Sequence, residues 1–236
     1  PLMNNYHNHF IHLGIGKMRS MLKSKYYWPR MYKMIEIHVN NCVTCQHTHH
    51  KVQPHPIKFS SIKPSHCNQV LGMDFIGPMP NSGPHDEQYI LTIVDYYDNF
   101  VKYIPCENNS AHTAFKALLH NWLLVEGIPE MIVCDRGSHF ANSLQRTNAE
   151  IWNYKLQFVT AYNPRAAGLV ERFNRTFRAK MRSICYDKNY EQSEFPWWDF
   201  SFWASYVSNM TVSNKTGLPP WRLRRHEPII DLPHVL

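Results

Sequence analysis

No run of 18 or more apolar residues occurs anywhere in the chain, so no segment of it is a candidate membrane-spanning helix. Cysteine is sparse: there are six in 236 residues, and only Cys42 and Cys45 stand close together. That is too thin for the disulfide scaffold of a secreted domain, and it points to a reducing compartment and to metal ligation as the use of the close pair. The opening Pro1-Leu2-Met3-Asn4 has no signal-peptide pattern, and without an initiator Met it is expected to belong to a fragment or to a piece cut from a longer polyprotein. The chain also lacks a Gly-x-Ser-x-Gly elbow and a P-loop, which removes two common chemistries. Internal repeats and low-complexity tracts are absent as well.

What is present is an ordinary apolar fraction, 44%, which excludes wholesale disorder, together with a formal net charge of +7 and a pI near 9.1. A folded, basic chain favours a polyanionic partner. The length allows one large domain or two smaller ones. Residues 1–50 are rich in His, Tyr and Lys, with a helical apolar period over 17–39 broken at Tyr26-Tyr27-Trp28-Pro29. Residues 51–67 hold three prolines and no period, and read as a linker. Residues 68–221 read as a second domain, and 222–236 as a C-terminal tail.

Within the second domain, strands are expected at 69–75, 89–96, 100–104, 131–134 and 156–160. Helices are expected at 110–126, 143–154, 166–184 and 197–210. Ser110 is the expected opening of the first of these, with Ala114, Leu118, Trp122 and Val125 on its buried face. The order β-β-β-α-β-α-β-α-α implies a mixed α/β domain around a central sheet.

Cys42-Val43-Thr44-Cys45 is a CxxC pair, and upstream of it lie His7, His9 and His12. Four residues separate His7 from His12, and 29 separate His12 from Cys42. Two thiolates and two imidazoles make a closed tetrahedral zinc site, with His7 or His9 as the first ligand. A domain of this size has little core, so a metal would supply much of its folding energy. His47, His49 and His50 read as solvated residues.

Three acids sit at telling places. Asp74 ends the apolar run GMDF, Asp135 ends the strand MIVC, and Glu171 lies in the first turns of the long helix. The intervals between them are 60 and 35 residues. Carboxylates from adjacent strand ends, joined by a third from a helix, can converge on two hard divalent cations and so support phosphodiester chemistry without a protein nucleophile. Taken singly, each acid is as readily a turn or helix cap.

The surrounding words identify a family. HNHFIHLGIGKM, YYWPRM and CVTCQ resemble the HHCC zinc domain of integrases of Ty3/gypsy-type long-terminal-repeat retrotransposons and retroviruses. MDFIGPMP, CDRGSHF and YNPRAAGLVERFNRTF resemble the segments that carry the three catalytic acids of those enzymes, and the 35-residue interval matches their D,D-35-E signature. The resemblance spans about residues 6–220. It implies an RNase H-like core, a mixed central sheet flanked by helices, preceded by a small helical HHCC domain. It implies Asp74, Asp135 and Glu171 as ligands of Mg²⁺ or Mn²⁺, and His7, His12, Cys42 and Cys45 as ligands of Zn²⁺. The implied reactions are 3′-end processing of element DNA and strand transfer into target DNA. The implied partners are double-stranded DNA and further copies of the chain on that DNA, with no membrane. The implied setting is the nucleus, after a cytoplasmic particle phase. A further C-terminal DNA-binding or chromatin-tethering module is expected beyond Leu236.

On the long helix, Val170, Phe173, Phe177, Met181 and Ile184 share one face, while Glu171, Arg175, Arg178 and Arg182 form a second stripe. With Arg172 these arginines are the expected holders of DNA phosphates, and Tyr162 and Asn163 before the helix are expected to touch the DNA end. Arg222, Arg224 and Arg225 count only as charge. Trp197, Trp198, Phe200, Phe202, Trp203 and Tyr206 read as core or subunit-interface residues, and Cys134 as a small buried hydrophobe. The rival readings are a host-adopted, non-catalytic binding module, a cut-and-paste DNA transposase with the same core, and a plain RNase H-like nuclease.

Overall fold

The computed structural model of the chain describes residues 2–48, 62–137, 140–158, 164–188 and 195–225. Residues 51–61 of the expected linker, 226–236 of the expected tail, and Tyr162, Asn163, His49 and His50 lie outside the described residues.

Four short helices come first: α1 (Leu2–His9), α2 (Ile15–Lys23), α3 (Met31–Asn40) and α4 (Val43–Thr48). Their common core is small, with Leu13, Met18, Leu22, Met31, Ile35 and Val39 buried together. Pro29 lies in the connection between α2 and α3, one residue before Arg30 takes a left-handed backbone (φ 60°) to start α3.

The larger unit is built on β1 (Val70–Ile76), β2 (Tyr89–Asp95), β3 (Val101–Cys106), β4 (Met131–Cys134) and β5 (Lys155–Phe158) in the order β3-β2-β1-β4-β5. The β1–β2 and β2–β3 pairs are antiparallel, and β1–β4 and β4–β5 are parallel. The β2–β3 hairpin turns at Asn99 (φ 65°), and the Asp98 carboxylate accepts the Phe100 amide at 2.7 Å. Side chains alternate along the strands, and helices cover both faces. Leu71, Met73, Leu91, Ile93 and Ile104 pack with α5 (Ala111–Leu118) and α7 (Ser143–Ile151). Ile76, Ile90, Val94, Val101 and Tyr103 pack under Phe177 of α8 (Pro164–Lys188) and Phe200, Ala204 and Val207 of α9 (Trp197–Met210).

Ser110 caps α5, its Oγ accepting the Thr113 amide at 3.2 Å. The helix then widens into a π-helical turn at Leu119–Leu123 and ends as α6 (Leu124–Glu126). This is where the expected buried face fails. Ala114, Leu118 and Trp122 are buried, but Val125 is 56% exposed, because a π turn rotates everything after it out of the 3.6-residue register.

The tail expected from residue 222 begins inside a helix, α10 (Pro220–Arg225). Nor is Arg224 mere surface charge. Its guanidinium bonds Asp95 and Asp98, reaches Glu126 at 3.3 Å, and lies over the rings of Phe100 and Trp122.

The first unit rests on the second. Ile11 joins the core under α8 and α9, and His9 sits edge-on to Trp203 at 5.9 Å. His47 is exposed but stacks on Tyr186 of α8 at 5.1 Å.

Candidate functional site

One candidate site is a closed knot of four side chains. His7 comes from the last turn of α1. His12 follows a tight turn in which Ile11 and His12 both have positive φ, 53° and 54°. Cys42 stands just before α4, and Cys45 is in its first turn. Their ligand atoms all lie within 4.8 Å of one another. His7 Nε2 and His12 Nδ1 are 3.2 Å apart, and Cys42 Sγ is 3.4 Å from His12 Nδ1. Cys45 Sγ is 3.4 Å from His7 Nε2 and 3.6 Å from His12 Nδ1. A tetrahedral zinc ion with ordinary Zn–S and Zn–N bonds separates its ligands by about 3.3–3.8 Å.

The outer ring nitrogens are spoken for. His7 Nδ1 meets the Leu13 carbonyl at 3.1 Å, and His12 Nε2 meets Asp187 Oδ2 at 2.5 Å. These bonds fix the tautomers that turn Nε2 and Nδ1 inward. Burial, with the Cys42 thiol beside it, pushes the Cys45 thiol up to about 12. A bound cation is what would hold such a thiol as thiolate. The donor set fits zinc. His9 is not among the four.

The second candidate site is where β1 and β4 end. Met73 is paired with Cys134 in the parallel register, so Asp74 and Asp135 follow at neighbouring positions about 4.8 Å apart in strand spacing. Asp74 is pushed up to about 6, first by burial and then by the charge of Asp135. The Phe75 amide, 2.9 Å from Oδ1, the Arg178 charge, and the Asn174 amide pull it down. Asp135 is exposed, with its Oδ1 accepting the Gly137 amide at 3.0 Å.

Helix α8 reaches this site because β1 has a glycine where they cross. A Cβ on Gly72 would lie 2.2 Å from Val170 Cγ2. Glu171 follows Val170 and is exposed, and one turn later Asn174 is 2% exposed and donates Nδ2 to Asp74 Oδ2 at 2.8 Å. Asn174 Oδ1 is buried without a partner among the described residues. Among the described residues the His/Cys knot is the one group of three or more such side chains whose ligand atoms converge as for a metal ion. Two close carboxylates, one half-buried and raised, with a third on the helix above, fit hard divalent cations.

Sequence reasoning missed Asn174. Its signal was available, since it is three residues after Glu171 and therefore on the same helix face. Arg175 and Arg178 are exposed, and Arg178 is near enough to act on Asp74. Arg182 is half-buried. Arg172 is exposed on another side of the helix, where its charge acts on Tyr96 and Lys215. The apolar face is as expected: Val170 and Phe177 are buried, and Phe173, Met181 and Ile184 are partly buried against the same core. Cys134 is 1% exposed and its thiol is raised to about 12, chiefly by burial, as befits a core residue.

Residues 1–51 match the integrase zinc binding domain model, and residues 64–164 match the integrase core domain model. The retrovirus-related Pol polyprotein from transposon 412 of Drosophila melanogaster is 30% identical over 216 residues, which is 90% of this chain and 17% of that polyprotein. The transposon Tf2-3 polyprotein of Schizosaccharomyces pombe is 24% identical over 241 residues, 98% of this chain and again 17% of the relative. The chain thus spans about a sixth of the length of these relatives. Among solved structures, the HTLV-2 integrase catalytic core domain in complex with magnesium superposes with TM-score 0.52 at 17% identity, covering 68% of this chain and 98% of that one. A chain of the simian T-cell lymphotropic virus intasome in complex with PP2A regulatory subunit B56 gamma gives 0.60 at 16% identity, covering 99% of this chain and 78% of that one. The expected RNase H-like core behind a small helical unit is therefore the fold observed, and the chain belongs to the retroviral and Ty3/gypsy-type integrase family, with an integrase zinc-binding domain followed by an integrase core domain.

Proposed function

We propose that this chain is a DNA-joining enzyme that trims the 3′ ends of a mobile element's DNA and transfers them into target DNA. The observation that carries this reading is the register-matched pair Asp74 and Asp135, with α8 pressed against β1 at Gly72 and Asn174, one turn after Glu171, bonded to Asp74. Asp74, Asp135 and Glu171 would hold Mg²⁺ or Mn²⁺. When bound there, such ions supply an activated water or 3′-hydroxyl and stabilise the leaving oxygen of the phosphodiester.

The protein's own residues do the positioning. Asn174 and the Phe75 amide each hold one oxygen of Asp74 and so fix the plane of its carboxylate. Arg175, Arg178 and Arg182 offer guanidinium groups along the helix that carries Glu171, where they would grip phosphates of the DNA being joined. Arg172, Tyr162 and Asn163 would extend that grip at the start of the helix. In trimming, water replaces the departing 3′ oxygen on phosphorus. In joining, the freed 3′-hydroxyl does so on the target strand, so one phosphodiester is exchanged for another and no energy source is needed.

His7, His12, Cys42 and Cys45 would bind a structural Zn²⁺ and give the first four helices their fold. Two DNA ends must be held together for integration, so the working form is a multimer of this chain on double-stranded DNA, acting in the nucleus after a cytoplasmic particle phase. Among the described residues no helix is long and apolar enough to cross a membrane.

A joining assay on a pre-branched DNA substrate with Mg²⁺ or Mn²⁺ tests the reading, because this substrate demands least of any further domain. Metal-dependent joining that disappears in Glu171→Gln supports it. A folded, zinc-loaded protein that binds DNA but never joins it argues instead for a non-catalytic binding module.

A further inference from the structure

Asp187 sits sixteen residues beyond Glu171 on the same helix, α8, or about 24 Å along its axis. It lies on the surface of the larger unit, its side chain 35% exposed, and both of its oxygens are engaged by the first unit. Oδ2 is 2.5 Å from His12 Nε2, and Oδ1 accepts the hydroxyl of Thr44, one of the two residues between Cys42 and Cys45. Thr44 is 7% exposed, and the His12 side chain is 5% exposed. The neighbouring Tyr186 stacks on His47 of α4. A histidine that ligates zinc through one nitrogen commonly donates the other N–H to a carboxylate, which sets the ring's orientation and raises its basicity as a ligand. Here the carboxylate comes from a different unit of the chain.

We infer that Asp187 is a positioning residue for the metal knot, supplied by the catalytic helix, so that metal binding in the first four helices and their docking on α8 are a single coupled event. This rests on the zinc reading of His7, His12, Cys42 and Cys45. The coupling has a definite physical origin. Withdrawal of electron density from His12 by a cation at Nδ1 strengthens the acid at Nε2–H, and with it the bond to Asp187. By reciprocity, whatever factor docking adds to metal affinity, metal adds to docking. The outcome is that a complete metal knot tightens the anchoring of the far end of the helix that bears Glu171.

The test is a competition titration of the full chain against a chromophoric chelator, for wild type, Asp187→Asn and Asp187→Ala, with Co²⁺ absorption as a report on ligand geometry. Wild type should take up one equivalent of zinc. Asp187→Ala should lose about 10- to 100-fold in zinc affinity and shift the Co²⁺ spectrum. Asp187→Asn keeps an acceptor but not the charge, so it should fall between the two, and it serves as the readable variant should the alanine protein fail to fold. Hydrogen exchange over residues 183–188 should slow on zinc addition in wild type and not in Asp187→Ala. Unchanged zinc affinity in both variants, with a loss of thermal stability that is the same with and without zinc, would overturn the inference and leave the zinc site standing. If wild type binds no zinc, the zinc reading itself fails and this inference fails with it.

Discussion

Asn174 Nδ2 donates to Asp74 Oδ2 at 2.8 Å, one helical turn after Glu171, and so ties the helix that carries Glu171 to the strand that carries Asp74. Its partner oxygen, Oδ1, is buried with no hydrogen bond among the described residues. Burying an unpaired amide oxygen costs about 1–3 kcal/mol. The bond to a charged carboxylate contributes about 1.5–3 kcal/mol in the other direction. The two nearly cancel, so Asn174 adds little to stability and its value lies in where it holds Asp74.

Asn174→Ala should therefore leave the fold within about 1 kcal/mol of wild type, while lowering divalent-metal affinity at the carboxylates roughly 10- to 100-fold. Chemical denaturation and an Mn²⁺ titration on the same protein separate these effects. A variant that binds Mn²⁺ as wild type does would show that Asp74 needs no such support.

Gly72 is where α8 and β1 come closest. A Cβ there would meet Val170 Cγ2 at 2.2 Å and Tyr96 Cε2 at 2.8 Å, and both neighbours are themselves buried. Gly72→Ala forces the helix off the strand and should cost about 1–3 kcal/mol. The displaced helix carries Glu171, so joining should fall further than stability does. Gly72→Ala combined with Val170→Ala relieves the closer of the two contacts while Tyr96 remains, so it should recover part of both, which is what denaturation and joining assays on the pair would record.

Arg224 closes a buried charge cluster. Asp95 and Asp98 are fully buried, the Arg224 side chain is 7% exposed, and Glu126 joins it with Lys102 at 2.9 Å. Burial pushes the carboxyl of Asp95 up, and Asp98 adds to this, while Arg224 holds it down. Arg224→Met strands two buried carboxylates and should cost about 3–5 kcal/mol, with the loss read as a lower urea midpoint. Arg224→Lys should recover only part of it, because one ammonium cannot bond three carboxylates in a plane. Full rescue by lysine would mean that charge alone matters there.

How much of this was legible beforehand depends on whether the information is local. Strands β1 to β5 and the faces of α8 follow from apolar period, and Met131–Cys134 and Trp197–Met210 fall where the pattern puts them. Val125 defeated the pattern because a π turn changes the period partway along. The choice between His7 and His9 turned on the backbone at Ile11 and His12, two non-glycine residues with positive φ that no composition rule predicts. Arg224 looked like one of a basic triplet because its three acids lie 98 to 129 residues away in sequence. An expected end of α8 at Ile184 left Asp187 outside the helix, so its meeting with His12 could not be read from spacing. The strands that carry Asp74 and Asp135 are the opposite case, because a short apolar run is a local pattern: Asp74 lies two residues before the end of β1, and Asp135 directly follows β4.

Lys180 gives a prediction about pH. Its ammonium lies 3.3 Å from Ser208 Oγ at the junction of α8 and α9, and Lys17 from α2 approaches the same place, 3.4 Å from Thr211 Oγ1. Burial, and then the charge of Lys17, pull Lys180 down to about 7, whereas in the unfolded chain it titrates near 10.5. Between those values the unfolded chain holds a proton that the folded chain does not, so stability rises with pH across about 7 to 10.5. It rises by at most about 1.4 kcal/mol per pH unit from this group, and by less to the extent that the ammonium still meets water. Below about 7 both states are charged and the full penalty is present. Lys180→Met keeps the packing of the stem and removes the titration. The variant should be more stable than wild type at pH 7, and the advantage should shrink steadily towards pH 10. Cysteines and tyrosines titrate in the same range in both proteins, so the difference in urea midpoint between the two, measured at pH 7, 8 and 9, isolates the lysine. A constant difference would mean that Lys180 stays charged in the folded protein.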